Sequence, residues 1–202
     1  MRSALKTPTP GGAAPVRTRD ASPADFGAIA AIYAHHVETG LASFEEVPPS
    51  ADEMPRRFAN VKARGLPWRV AELGGEIVGY CYASPFKARS AYRFTVEDSI
   101  YVHERHHSKG IGVKLLGEII EICTDLGYRQ MIAVVGDSAN EGSLRLHTRL
   151  GFRTIGQILR VGVKFGRWVD TVYLQRTLGE DMASPPTRNP RGYEAPGDQT
   201  GP

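Results

Sequence analysis

The chain has 202 residues, 41% hydrophobic and 23% charged, with a formal net charge of +3. That fits one soluble globular domain with a real core plus tails. It carries no run near the roughly 20 apolar residues that span a bilayer, and the charge is too mild, with no module fingerprint, to indicate nucleic-acid binding.

The opening stretch, "MRSALKTPTPGGAAPVRTRD", lacks the apolar core of a signal peptide, so the expected compartment is the cytoplasm. Residues 1–16 and 179–202 are rich in Pro, Gly, Ser and Thr. Neither stretch has the apolar surface to offset its ordering entropy, so both are expected to be flexible tails around a body at 17–178.

Within the body, "VRTRDA" predicts a short strand. "SPADFGAIAAIYAHHVETG" predicts a helix opened by Ser22, Pro23 and Asp25, with Phe26, Ile29, Ile32, Tyr33 and Val37 as its apolar face and Gly40 at its end. "PSADEMPRRFANVKARG" repeats the opening with Ser50 and Glu53. Two β-rich runs around Gly74-Gly75 predict a hairpin, and "FTVEDSIYV" predicts another strand.

"IGVKLLGEIIEICTDLG" places Leu115, Ile119, Ile122 and Leu126 on one helical stripe. "QMIAVVG" is a continuous apolar run suited to a sheet interior. "NEGSLRLHTRLGF" predicts a helix, and two final strands flank "GR". The order predicts an α/β domain, a mixed sheet with helices packed on it. Cys81 and Cys123 fall inside a strand and a helix and read as small buried hydrophobes rather than a disulfide.

The segment "HSKGIG", residues 107–112, lies at a strand-to-helix junction amid a local basic excess of Arg105, His106, His107 and Lys109. A helix's first amides lack intrahelical partners, and the macrodipole adds positive potential, so a glycine loop there suits a phosphate-bearing molecule. Gly110 and Gly112 would remove side chains where a ligand approaches the backbone. The stretch has neither the spacing of a Walker loop nor that of a dinucleotide-binding turn.

It does resemble the [QR]-x-x-G-x-[GA] signature of the GNAT N-acetyltransferase superfamily, read here as His107-Ser108-Lys109-Gly110-Ile111-Gly112. The resemblance implies the GNAT fold and acetyl-CoA as co-substrate. Amides of the loop and of Val113 would hold the pyrophosphate, and Ile100, Tyr101 and Val102 would line the pantetheine arm. "NEGSLRLHTRLGF" resembles a later motif, which puts Asn140 and Ser143 toward that arm. His107 stands where Gln or Arg is usual; its ring N–H still suits the pyrophosphate and would make binding pH-sensitive.

Within the superfamily, "PFKARSAYRFTVEDSIYV", "ASFEEVPPS" and "GRWVD" resemble segments of the phosphinothricin and methionine sulfoximine N-acetyltransferases. That implies acetylation of the α-amine of a small amino acid and, by analogy with similar proteins, a homodimer. Glu97, in an apolar strand, is either a solvent-facing charge or, as the resemblance implies, the general base that deprotonates the incoming ammonium. His147 is either a helix-surface histidine or the group that protonates the departing thiolate.

Lys87, Arg89 and Tyr92 are either a solvated basic loop or a grip on an anionic substrate end. Phe44 would form an apolar wall against the substrate, while Trp168 and Asp170 read as structural. The paired histidines offer no zinc pattern, and no metal is expected. Two rivals stay open: another amine acceptor such as a polyamine, aminoglycoside or protein N-terminus, and a non-catalytic acyl-CoA sensor.

Overall fold

In chain order the elements are strand β1 (Arg17–Asp20), helix α1 (Phe26–Thr39), helix α2 (Glu53–Ala63) and strands β2 (Trp68–Leu73), β3 (Glu76–Pro85) and β4 (Thr95–Val102). Helix α3 (Ile111–Asp125), strand β5 (Gln130–Gly136), helix α4 (Glu141–Arg149) and strands β6 (Arg153–Lys164) and β7 (Arg167–Thr177) complete the domain. This computed structural model describes residues 14–179 and 184–193. The expected α/β order of elements is the observed one.

The strands form one mixed sheet in the order β1-β2-β3-β4-β5-β7-β6, in which β4 and β5 run parallel. The Gly74-Gly75 hairpin forms as expected, with φ of +61° and +91°, the double left-handed geometry of a tight two-residue turn. Alternation along β3 assigns the two faces of the sheet. A Cβ on Gly79 would touch Ile111 and Leu115 of α3. Its neighbour Tyr80 stacks on Trp68 and Tyr101, and Tyr101 meets Tyr33 of α1 edge-on. Helices α1 and α3 therefore cover opposite faces, and β4 is sandwiched between them.

Three local expectations shift. The buried stripe of α3 is Ile111, Leu115, Leu116, Ile119, Ile120 and Cys123, with Ile122 and Leu126 only half-buried; the face turned to the sheet is centred between the expected positions and their neighbours. Ser50 does not cap α2 with its side chain. The helix begins at Glu53, whose carboxylate is taken by Arg57 at 3.0 Å. The third shift concerns the expected C-terminal tail, whose residues 184–193 lie against the body: Arg191 N–H donates to Leu126 O at 2.8 Å, Arg93 Nε to Asn189 Oδ1 at 2.9 Å, and Pro190 is buried. Backbone bonds and one buried proline hold a segment whose composition alone argued against packing. Residues 1–13, 180–183 and 194–202 of the expected tails lie outside the described residues. Cys81 and Cys123 are free and buried.

The entry to α1 is fixed by charge. Buried Asp25 receives both Arg19 guanidinium nitrogens at 2.7 Å and the Ser22 N–H at 2.8 Å. The Arg19 hydrogen bonds, opposed by burial, bring its pKa down to about 2. A depressed carboxylate stabilises the fold above its unfolded pKa, and that stabilisation disappears as pH falls from about 4 to about 2. Arg19 is 43% exposed, so solvent screens the pair. Asp25→Ala is expected to cost roughly 2 kcal/mol at pH 7 and almost nothing near pH 2, as read by urea unfolding at both pH values.

Candidate active site

β4 and β5 pair only from Thr95↔Gln130 to Asp98↔Ala133, although β4 continues to Val102 and β5 to Gly136. On its other edge β4 stays paired with β3 up to Gly79↔Val102. The parallel strands therefore part after Asp98, and the opening holds a cavity of about 640 Å³. Its walls include Glu97, Ser99, Ile100 and Tyr101 of β4, Val134 and Gly136 of β5, Asn140, Ser143 and His147 of α4, and Phe44 from the loop after α1.

Glu97 faces the α1 side of the sheet and is half-buried. Burial is the main cause that raises its pKa, the adjacent Asp98 charge adds to it, and Lys87 opposes it; the result is about 7. A carboxylate with that affinity can accept a proton near neutrality and release it again. The solvent-facing alternative for Glu97 does not describe this side chain.

Phe44 is seated by polar contacts behind it. Ser43 Oγ pairs with Tyr33 Oη at 2.8 Å, and Ser43 O accepts from the buried Lys164 Nζ at 2.7 Å. Burial lowers the Lys164 pKa, since its ammonium reaches no carboxylate within ion-pair distance among the described residues. Two glycines make room for this loop. A Cβ on Gly136 would lie 2.3 Å from Leu41 O, and one on Gly162 would lie 2.4 Å from the Phe44 ring.

His147 joins the cavity wall but is only 2% exposed. Its Nε2 lies 3.0 Å from Asp98 Oδ2 and its Nδ1 lies 2.8 Å from Ser143 O. Both ring nitrogens are engaged, so the ring has no free N–H for a departing thiolate. The histidine expected to donate a proton is instead one half of a buried Asp98–His147 pair. Asp98 was missed, although a second acid beside Glu97 in "TVEDSIYV" was a readable signal. Lys164 had none, because a lysine closing a strand reads as solvated.

The loop after β4 is built for an anion. Gly110 caps α3 with φ +76° and has nothing within 4 Å of where a Cβ would sit. The amides of Ile111, Gly112 and Val113 precede the first intrahelical bond, Lys114 N–H to Gly110 O at 3.1 Å. The first turn carries no acid, so nothing competes for its positive end. Gly112 also serves packing: a Cβ there would lie 3.0 Å from Leu146, so it lets α4 pack closely on α3.

The His107 ring is also turned from its expected target. His107 Nε2 donates to Val102 O at 3.0 Å, and His36 Nε2 reaches the same oxygen at 2.9 Å. Lys109 Nζ lies 3.2 Å from His106 Nδ1, and Ser108 holds the loop's left-handed corner at φ +60°. Asn140 caps α4 through Oδ1, which accepts from Ser143 N–H at 3.2 Å.

Lys87, Arg89 and Tyr92 do not join Glu97 and Phe44. They line a second concavity of about 660 Å³ with Arg64, Arg93, Tyr128 and Tyr193. Lys87 connects the two regions only through its effect on Glu97. Asp170 is structural, as expected: it accepts from Arg160 N–H at 2.8 Å and Gln157 Nε2 at 2.9 Å, which holds the irregularity in β6. Trp168 is 64% exposed. Gly162→Ala is expected to force the Phe44 ring outward and cost about 1–3 kcal/mol of stability, as read by denaturant unfolding, whereas Gly156→Ala, with open space at its Cβ, serves as the control.

The comparisons agree with this geometry. A family model described as the Acetyltransferase (GNAT) family matches residues 29–152. The chain is 53% identical over 154 residues to a phosphinothricin N-acetyltransferase of Alcaligenes faecalis, covering 76% of this chain and 78% of that one. It is 37% identical over 168 residues to an L-methionine sulfoximine/L-methionine sulfone acetyltransferase of Pseudomonas aeruginosa, covering 83% and 97%. The crystal structure of a GNAT superfamily phosphinothricin acetyltransferase from Sinorhizobium meliloti, in complex with acetyl-CoA, superposes with a TM-score of 0.84 at 46% identity, covering 87% of this chain and 95% of that one. With its parted parallel strands and glycine-opened helix, this chain belongs to the GNAT acetyltransferase family.

Proposed function

We propose that the protein transfers the acetyl group of acetyl-CoA to the α-amine of a small amino acid of the phosphinothricin, methionine sulfoximine or methionine sulfone kind. The observation that carries this reading is Glu97, a half-buried carboxylate with its pKa raised to about 7, set where the two strands part. The relatives named for these acceptors support the substrate class.

Acetyl-CoA supplies the activated acetyl group. The stretch of Ile100, Tyr101 and Val102 that has parted from β5 would hold its arm, and the amides of Ile111, Gly112 and Val113 its pyrophosphate, with Asn140 and Ser143 alongside. The acceptor arrives as an ammonium ion beside Glu97, with its methylenes along Phe44. Glu97 takes the proton, directly or through a water, and frees the nitrogen lone pair to attack the thioester carbonyl. Free N–H groups of the parted strands can stabilise the developing oxyanion. Both substrates are held at once, and the buried, free cysteines form no acyl intermediate.

Lys87 and Arg89 lie outside this cavity, so preference for an anionic acceptor rests on the relatives rather than on a grip by those residues. A sensor that never turns over has no use for a carboxylate poised near neutrality, which favours the enzyme reading. Glu97→Gln is expected to lower kcat by roughly 10²–10⁴ and leave acetyl-CoA affinity unchanged, measured by CoA release with L-phosphinothricin or L-methionine sulfoximine. Wild-type activity should fall as pH drops below about 7, because only the ionised carboxylate accepts a proton.

We also propose that the protein works as a homodimer through β6. This edge strand is exposed along nearly its whole length, and Ile155, Ile158, Leu159, Val161 and Val163 stand in solvent. So long an apolar edge invites pairing unless it is covered. Light scattering should give twice the chain mass for the wild type, and Leu159→Arg combined with Val163→Arg should shift it toward the monomer.

A further inference from the structure

Asp98 and His147 meet at the last paired position of β4 and β5, where the cavity begins. Both are nearly sealed from solvent, with side chains 2% and 3% exposed. Ser143 O can only accept, so His147 Nδ1 carries a proton toward it, and Nε2 faces a carboxylate oxygen. A neutral imidazole has one N–H and cannot satisfy both partners; an imidazolium can. Burial alone would push the His147 pKa down, but the hydrogen bond and charge of Asp98 outweigh it and the net shift is upward.

Two further facts give the pair a direction. His147 Nδ1 also lies 3.3 Å from Ser143 Oγ, and Ser143 N–H is bonded to the cap residue Asn140. A single chain of contacts therefore runs from β4 to the first turn of α4, which flanks the channel. The other carboxylate oxygen, Asp98 Oδ1, is buried and finds no donor among the described residues, while Asp98 itself lines the cavity. An ionised oxygen of that kind is costly unless something donates to it.

We propose that Asp98 is a positioning residue for acyl transfer: with His147 it forms a charged clamp that fixes the parting of β4 and β5 and the Asn140–Ser143 turn beside the acetyl-CoA channel, and its Oδ1 accepts from a donor that enters the channel with acetyl-CoA or as water. The clamp acts through geometry and takes no part in bond-making. It rests on the assignment of this cavity to acetyl transfer. The groups that face it from its surroundings are Cys81 of β3 and Cys123 of α3, whose thiols sense the Asp98 charge, and Glu97 on the same strand.

The test compares the wild type with Asp98→Asn, Asp98→Ala, His147→Gln and the double variant Asp98→Ala with His147→Gln. Calorimetry gives acetyl-CoA affinity with no acceptor present, steady-state kinetics separate kcat from KM, and ¹⁵N NMR follows the His147 ring. Asp98→Asn should keep the pair's shape, since an amide N–H can donate to a neutral Nε2, and should turn His147 neutral at pH 7. Asp98→Ala and His147→Gln should each weaken acetyl-CoA binding or slow turnover by roughly tenfold or more, and the double variant should lose no more than the worse single one.

The proposal is overturned if folded Asp98→Ala binds acetyl-CoA and turns over as the wild type does, or if the two losses simply multiply. Should Asp98→Ala fail to fold, a wild-type His147 that is neutral at pH 7 by NMR overturns it just as well. Failure of the wild type itself to bind acetyl-CoA would instead remove the cofactor assignment, which keeps the two failures apart.

Discussion

The site depends on one asymmetry: β4 is bonded along its whole length to β3 but only as far as Asp98 to β5. One edge holds the strand straight while the other opens. Beyond Asp98 the backbone groups of that free edge line the half-buried cavity without a ladder partner, and amides and carbonyls withdrawn from bulk water demand partners. Val102 O is satisfied by two histidine rings. The rest of the edge is left to the channel, which suits a ligand arm that can bond along a strand. The fold forms a recognition edge by omitting hydrogen bonds a complete sheet would make.

Strand alternation then separates two adjacent carboxylates. Glu97 points to the α1 face, where Tyr82 senses its charge, and Asp98 points to the α3 face, where Cys123 senses it. Asp98 is bonded to His147 at 3.0 Å, whereas Glu97 has no bonded cation among the described residues and feels Lys87 only at a distance. Burial and a neighbouring negative charge both favour the protonated form of Glu97. A single strand thus carries one carboxylate suited to holding structure and one suited to exchanging protons, and the difference lies in their surroundings rather than in residue type.

Much of this was legible before the structure. The period of the α3 segment, the Gly-Gly hairpin and the apolar "QMIAVVG" run determine the element order, because local patterning and core packing agree there. Glu97 and the glycine loop could be read from chemistry that apolar strands and helix starts do not ordinarily need. What stayed hidden was partnership over long sequence separations. His147 looked like a donor on a helix because nothing local announces Asp98 as its partner. Lys87 and Arg89 stand close to Glu97 in sequence but line a separate concavity, and no local signal in the sequence announces that separation. Gly112 also leaves room for Leu146 of α4, a demand that nothing in the local sequence announces.

The wall proposed for the acceptor is made of the least patterned material. Phe44 sits on an irregular loop held by Tyr33 from α1 and Lys164 from β6, and it needs the absence of side chains on Gly136 and Gly162. The side proposed for acetyl-CoA, by contrast, is built on β4, β5 and the start of α3, where backbone geometry would supply the contacts. A change in the 41–47 loop or in its glycine seats can therefore reshape this wall of the cavity without disturbing the parted strands. In the proposed acceptor site, substrate preference depends on where one half-exposed aromatic ring rests, and the buried polar bonds to Ser43 next to it fix the backbone from which that ring projects.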